Sequence, residues 1–397
     1  MSVTAGTLKA SMARTRGGAD GGLRLDTWTV AIVACILLLG LIMVTSASMS
    51  VASNSGAQSF FFLEHQLMYL GLGMAGAAAV FALGTERLER LATPLMFLGL
   101  ALLVVVLVPG LGHRSHGSRR WLQVGALAFQ ASELVRVLML VYVSSYAVRH
   151  EDALRNTGKG LLKPLAVLGF AVVLLLAEPD MGAATVLFAT GFALLFLAGA
   201  QLRWVVLGLL GAAGAFVLLV FTAAYRLKRV TGFLHPFDHP FDTGFQLVQS
   251  LIAIGRGQWF GVGLGSSVQK LFYLPEAHSD FLFAVLAEEL GLAGVFVTLG
   301  LFLALAWRAL AIARLAVDQG LKFQAYLAAG FGIWVGVQAF VNIGVNMGVL
   351  PTKGLTLPLM SYGGTSIMVG MVWVGLLLRV YHEATLPTRG TILKESA

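Results

Sequence analysis

Glu276, His278 and Asp280 stand within five positions of one another in the stretch LPEAHSDF, Leu274 to Phe281. Carboxylate, imidazole and hydroxyl in a row invite a nucleophilic relay. Consecutive side chains diverge, however, so His278, Ser279 and Asp280 cannot converge on one substrate atom as a relay requires. The H-E-x-x-H spacing of a zinc hydrolase is missing as well. What the spacing does allow is a carboxylate at a helix mouth. Asp280 either caps the helix that follows, a role worth about 1 kcal/mol, or accepts a proton. Glu276 and Asp280 are four apart and share a face if Pro275 opens a helical turn. Lys270 and His278 are near enough in sequence to tune both carboxyls.

The elements that must position these residues are membrane helices. The chain is 58% apolar and 12% charged, with a mean hydropathy of +0.84, and several runs of about 18 or more residues carry almost no charge. This is an all-α polytopic membrane protein; the unbroken runs exclude an outer-membrane barrel, whose strands alternate over ~10 residues. The one cysteine, Cys35, falls inside the first run, so no internal disulfide forms. Basic residues outnumber acidic ones 27 to 19. In a soluble chain that balance suggests nucleic acid; here it fits loops held at an anionic cytoplasmic surface, with no nucleic-acid partner. Residues 27–49 follow a basic segment but exceed the apolar length of a secretory signal, which marks a retained first span.

Apolar runs near 27–49, 61–83, 92–109, 132–148, 164–177, 182–198, 204–225, 282–306, 325–350 and 358–378 predict ten transmembrane helices. Parity of charge settles the doubtful fifth and sixth, which EPDMG (Glu178 to Gly182) separates. With ten spans the basic loops 84–91, 149–163 and 307–324, Arg203 and both termini share one side, as the positive-inside rule requires. The expected organisation is a cytoplasmic tail 1–26, a membrane domain 27–381 and a cytoplasmic tail 382–397. The loop 226–281, between helices 7 and 8, is then large and extracytoplasmic, and 110–131, EPDMG and 351–357 face the same way. Within it FQLVQSLIAIG is amphipathic, with Phe245, Val248, Leu251 and Ile252 on one face. No internal repeat is evident, and inverted repeats with paired broken helices would have favoured a secondary transporter.

Polar groups at membrane depth are functional candidates because each charged one costs roughly 2.5–3.5 kcal/mol on insertion scales. Glu133 and Arg136 are three apart and either close a helix end as an ion pair or serve a substrate. Asp180 either caps the sixth helix or does chemistry. Gln338, Asn342 and Asn346 form a polar stripe that interhelical hydrogen bonding explains. Glu288 and Glu289 are too deep unless residues 280–289 border water. GRGQWFGVGLGSS (Gly255 to Ser267) lacks the G-K-[ST] ending of a P-loop, so a nucleotide site is rejected, while a backbone nest for another phosphate stays open. SYGGTS, beginning at Ser361, opens the tenth helix and suits either an anion or close helix packing.

The stretches SVQKLFYLPEAHSDFLFAVLAEELG, GVLPTKGLTLPLMSYGGTS, RRWLQVG, FQASELVR and EPDMG closely resemble the shape, elongation, division and sporulation family, and its division branch more than its elongation branch. The resemblance covers Thr27 to Tyr381. It implies ten helices with both termini inside and a peptidoglycan glycosyltransferase that polymerises lipid II on the outer face of the bacterial inner membrane, at the division septum. The family's essential aspartate in PE-x-H-[ST]-D falls on Asp280. Its QPSE-x-x-K motif matches Gln130, Ser132 and Glu133, with Ala131 in place of proline and Arg136 in place of lysine.

The chemistry this implies is attack by an acceptor sugar hydroxyl on an anomeric carbon already activated by a polyprenyl diphosphate, with inversion and without a nucleotide. Asp280 would take the hydroxyl proton. Arg120, Arg136, Lys270, Lys353 or a divalent cation, Mg or Mn, would neutralise the departing diphosphate. A cation could touch Asp280, and Glu276 would orient the site rather than act as acid. A class B penicillin-binding protein and other division proteins are the implied partners. Two rival readings remain: a flippase carrying the lipid-linked precursor, and a division scaffold without chemistry.

Overall fold

The computed structural model describes residues 23–54, 60–115, 118–124, 127–221, 232–238, 240–242, 244–271 and 273–386. Most of the two expected tails, the end of the seventh expected span at 222–225 and the start of the large loop at 226–231 lie outside the described residues. The helices are α1 Thr27–Asn54, α2 Phe61–Leu83, α3 Thr85–Arg90, α4 Ala92–Leu107, α5 Ala131–Arg149, α6 Glu151–Asn156, α7 Gly158–Ala177, α8 Met181–Leu197, α9 Leu202–Phe221, α10 Phe245–Gly257, α11 Leu282–Asp318, α12 Lys322–Asn346 and α13 Gly364–Thr385. Among the described residues, seven of these, α1, α2, α5, α7, α11, α12 and α13, are long and apolar enough to cross a membrane, and α4, α8 and α9 are shorter apolar helices. The chain is therefore a multi-pass helical membrane protein. The last helix starts at Gly364 and runs to Thr385, later than the expected 358–378, because 358–363 is spent in turns.

Lipid and core are both apolar, so the helices are hydrophobic all round and burial distinguishes inside from outside. Buried residues make up 89% of the spanning window of α5 and 78% of that of α12, against 22% of that of α2, so α5 and α12 form the centre. Glu133, Arg136, Gln338, Asn342 and Asn346 are on these two helices and buried. That is where groups barred from lipid can find partners. Gly364 of SYGGTS serves packing, since a Cβ there would stand 2.4 Å from the Tyr69 ring of α2; farther along α13, one on Gly375 would stand 2.6 Å from the Ala77 carbonyl.

Residues 110–131, expected as a plain polar loop, contain a three-stranded antiparallel sheet of β1 Gly112–Ser115, β2 Ser118–Val124 and β3 Leu127–Gln130. Trp121 lies opposite Gln130 and Leu122 opposite Phe129. The strands are too short and too poor in β-branched residues to announce themselves in the sequence.

The glycine-rich run is a backbone crossing. Helix α11 breaks at Gly291, whose φ is +65°, and the chain after α10 fills the break. Val262 and Gly263 donate their N–H groups to the Glu288 and Glu289 carbonyls at 2.9 and 3.1 Å, while Leu292 and Ala293 donate to Gln258 and Trp259 at 2.8 and 3.1 Å. A Cβ on Gly257 would lie 1.8 Å from the Ala287 carbonyl, and one on Gly261 would lie 2.1 Å from that of Glu289. Helix α10 accordingly packs through Leu247, Val248, Ser250, Ala253 and Gly257, while Ile252, expected on the apolar contact face, is exposed. Small residues won because close approach required them.

Glu288 and Glu289 do not border water; both are 0% exposed. Glu288 accepts from the Ser267 hydroxyl (2.5 Å) and from the backbone N–H groups of Val268 and Gln269, and pairs with Arg256 at 3.4 Å. Glu289 accepts from Ser46 at 2.8 Å and from the Lys270 ammonium at 2.7 Å. The nest read as a phosphate cradle is thus filled by the protein's own carboxylates. Removing one member of a buried pair strands the other charge, at about 3–5 kcal/mol. Glu289→Leu is expected to lower stability by about that amount in equilibrium unfolding of the purified protein in detergent. The Lys270→Met/Glu289→Leu double variant should regain most of the loss.

Candidate active site

Asp280 ends a series of turns just before α11, and Phe281, with no side-chain cap, occupies the capping position. The capping role considered for Asp280 is not the one the structure gives it. Pro275 opens no helical turn either, because Glu276 has a φ of +57°, the left-handed region that ordinary side chains avoid. That conformation lets the Glu276 carbonyl accept from both Ser279 and Phe281 N–H at 3.2 Å, and the Ser279 hydroxyl donates to the Glu276 carboxylate at 2.7 Å.

The polar stripe of α12 fixes this turn. The side-chain amides of Asn342 and Asn346 donate to the backbone carbonyl of Asp280 at 2.9 and 3.1 Å. Asn342 also donates to the Leu355 carbonyl, and the Asn346 side-chain oxygen accepts the Ala284 N–H in the first turn of α11 at 3.2 Å. Gln338 donates to the Thr356 carbonyl at 2.9 Å and accepts from Arg136. One helix face thereby holds two loops, 274–281 and 351–357, against each other.

The Asp280 carboxylate is treated differently. Among the described residues no side chain or backbone N–H donates a hydrogen bond to it. It lies over Gly354, where an added Cβ would come within 2.8 Å of Oδ2. Burial, and then the charges of Glu276 and Asp180, push its pKa up to about 7 against the opposing pull of Arg120. A carboxyl poised near neutrality suits proton acceptance.

Around it stand the connection between α7 and α8 and strand β2. Asp180 caps α8, accepting from Ala183 N–H at 3.0 Å, and its other oxygen accepts from Gln130 and Ser132, both at 3.2 Å. Arg120 on β2 reaches the Glu178 and Pro179 carbonyls. Lys353 donates to Thr185 on α8 at 3.1 Å, and burial lowers its pKa. Gly182, at the start of α8, touches Leu355 so closely that a Cβ there would lie 2.7 Å from it. Asp280, Arg120, Asp180, Glu276 and Lys353 thus share one region.

The remaining candidates serve elsewhere. Glu133 and Arg136 form a buried ion pair on α5 that leads to Gln338. Lys270 turns to Glu289 and Ser46. His278 packs among aromatic rings, 4.8 Å from Phe62 and 5.4 Å from Tyr362 between centroids, and burial lowers its pKa. Ser361 is buried and accepts the Leu357 N–H at 3.0 Å, pinning the turn before α13. Among the described residues no three His, Cys, Asp or Glu groups cluster as a metal site.

Sequence reasoning passed over Glu178. Its side chain is fully buried, neither carboxylate oxygen has a hydrogen-bond partner among the described residues, and burial followed by the Asp180 charge raises its pKa to about 8 despite Arg120. The acid is neutral at pH 7. Its position before a proline at the end of an apolar run was the available signal.

Replacing Asn342 by leucine takes the amide donor from the buried Leu355 carbonyl, at about 1–3 kcal/mol, and leaves the Asp280 carbonyl to Asn346 alone. Asn342→Leu is expected to unfold earlier in thermal melts while Asn342→Gln loses less.

The family model described as Cell cycle protein, covering FtsW, RodA and SpoVE, matches residues 26–386. A probable peptidoglycan glycosyltransferase FtsW of Methylococcus capsulatus is 51% identical over 92% of each chain. The protein of the same name in Thioalkalivibrio sulfidiphilus is 52% identical over 91% of this chain and 90% of its own. A chain solved in a peptidoglycan synthase complex that coordinates polymerization and crosslinking superposes with a TM-score of 0.75 at 32% identity, over 92% of this chain and 100% of that one. With a family model spanning nearly its whole length and relatives at half identity, this chain belongs to the FtsW, RodA and SpoVE family, the shape, elongation, division and sporulation proteins.

Proposed function

We propose that this chain is a peptidoglycan glycosyltransferase of the division branch, polymerising lipid II into glycan strands, with Asp280 as the general base. The observation that carries the assignment of the base is the Asp280 carboxyl itself: partly accessible, without a hydrogen-bond donor, and raised to about 7. The acceptor sugar hydroxyl gives its proton to Asp280 as its oxygen bonds to the donor anomeric carbon. The bond from that carbon to the diphosphate breaks, and the electron pair leaves with the lipid-linked phosphate. Arg120, whose charge acts on the Asp280 carboxyl, and Lys353, next to Gly354 beneath it, are the cations for that charge. A divalent cation would be held by Asp280 and the substrate's own phosphate oxygens, the arrangement magnesium commonly takes with one or two carboxylates, and would add charge neutralisation.

The membrane arrangement that goes with this reading has ten spans, the three shorter apolar helices among them, with both termini cytoplasmic and the 226–281 loop outside. The basic loops support it, since Arg87, Arg149, Lys159, Arg203 and Arg314 all fall at the end away from Asp280 under that parity. The inner membrane at the septum is the compartment. A class B penicillin-binding protein, consistent with the likeness to a synthase complex, is the partner that would crosslink the strands.

Reconstituted protein supplied with lipid II is expected to release glycan strands, visible as a ladder on gels. Redistribution of intact lipid II across the bilayer without polymer would instead point to transport. Asp280→Asn should abolish polymer at wild-type protein level, and unchanged synthesis in the presence of partners would leave only a scaffold role. Because the pKa of Asp280 is raised, its base form is lost as pH falls through about 7, so the rate should decline along that limb. Glu276 contributes to the rise, so Glu276→Gln should move the limb to lower pH.

A further inference from the structure

At the opposite end of α5 from Glu133 a cavity of about 400 Å³ opens between α4, α5 and α7, within the range of ligand sites of roughly 300–1,000 Å³. It is distinct from the Asp280 region: sixteen residues of helix separate Glu133 from Arg149, about 24 Å at 1.5 Å per residue. Its deeper wall is apolar, formed by Met96 and Leu100 of α4 and Val167 of α7. Phe97 and Phe170, 62% and 52% exposed, flank its mouth toward lipid.

The rim is cationic. Arg149 and His150 close α5, Lys163 stands near the start of α7, and none of the lining residues is acidic. Arg149 is braced by Ser145, whose hydroxyl accepts from its guanidinium at 2.5 Å. His150 stacks on Tyr146 at 4.3 Å, and the Tyr146 hydroxyl donates to the Gly160 carbonyl at 2.8 Å, tying α5 to the head of α7. Glu89 lies within Coulomb range of Arg149 but does not line the cavity.

We propose that this cavity binds an anionic phospholipid from the leaflet on the basic side, with its phosphate on Arg149, His150 and Lys163 and one acyl chain between Phe97 and Phe170. Two independent features converge on that occupant. The mouth lies between exposed phenylalanine rings on apolar helices, so an acyl chain from the bilayer would enter without crossing water, and the charges sit at the helix ends, where headgroups lie. Basic pockets between transmembrane helices on the cytoplasmic side are suited to acidic headgroups for this reason.

The test uses the full-length protein incorporated in phosphatidylcholine bilayers containing phosphatidylglycerol, extracted in mild detergent, with retained lipid measured by native mass spectrometry. The wild type should retain phosphatidylglycerol in preference to phosphatidylcholine. Arg149→Gln/Lys163→Gln should reduce the preference about fivefold for each charge removed, the ratio corresponding to ~1 kcal/mol per basic residue near a headgroup. Ala166→Trp, which fills the cavity and keeps the charges, should also lose the bound lipid while melting like the wild type. Equal retention by the charge variant and the wild type overturns the proposal. So does full retention by Ala166→Trp, which would mean a surface phosphate contact only. Displacement of the signal by millimolar inorganic phosphate would assign the rim to free phosphate and overturn the lipid assignment.

Discussion

The backbone carbonyl of Asp280 is held by two amides, Asn342 and Asn346, while the carboxylate of the same residue receives no donor among the described residues. The arrangement of the site depends on that separation. Hydrogen bonds to the carboxylate would stabilise its charged form and pull its pKa down; hydrogen bonds to the carbonyl fix where the side chain starts and leave its proton affinity alone. Position and basicity are set by different atoms. Gly354 completes the separation, since its missing side chain is the space the carboxyl occupies.

The same chemistry gives buried acids opposite roles in one molecule. Glu288 and Glu289 are as buried as any residue in the chain, yet hydroxyls, backbone N–H groups and the cations of Arg256 and Lys270 surround them, so they act as staples for the 256–270 segment. Glu178 has no such partners among the described residues, and burial pushes it toward the protonated form. Asp280 lies between these extremes, near neutrality and partly accessible. Burial sets the cost of the charge, and the surrounding donors decide whether the cost is met.

Much of this was legible in the sequence, and the limits have physical causes. Long uncharged runs gave the helices because period and length suffice for them. EPDMG was read as a break, and α7 and α8 are separate helices on either side of it. Asp280, marked by its spacing from Glu276 and by the family resemblance, and Arg120, named for the diphosphate that the resemblance implies, do lie in one neighbourhood. Lys270 and His278 were linked to Glu276 and Asp280 by nearness in sequence alone; a chain of turns reverses direction every few residues, so Lys270 reaches Glu289 instead, while His278 packs on Phe62 and still feels the Glu276 charge. The sheet over 112–130 was missed because its strands are short. The glycine run left a backbone nest for phosphate open because crossing backbones and cradled phosphates both demand the absence of Cβ, and only the tertiary partner, α11, tells them apart.

The break at Gly291 also bears on bilayer thickness. Irregular backbone is tolerated at depth only where other protein covers it, and the 258–263 segment supplies that cover through both sides of the gap. Residues 282–290 therefore belong to the capped head of the bundle, and the continuous rod begins beyond Gly291. From there to Asp318 it reaches about 40 Å, against ~30 Å of hydrocarbon. The surplus is accommodated by tilt or by projection past the headgroups, so α11 tolerates changes in membrane thickness without drawing its broken, glycine-lined end into the oil.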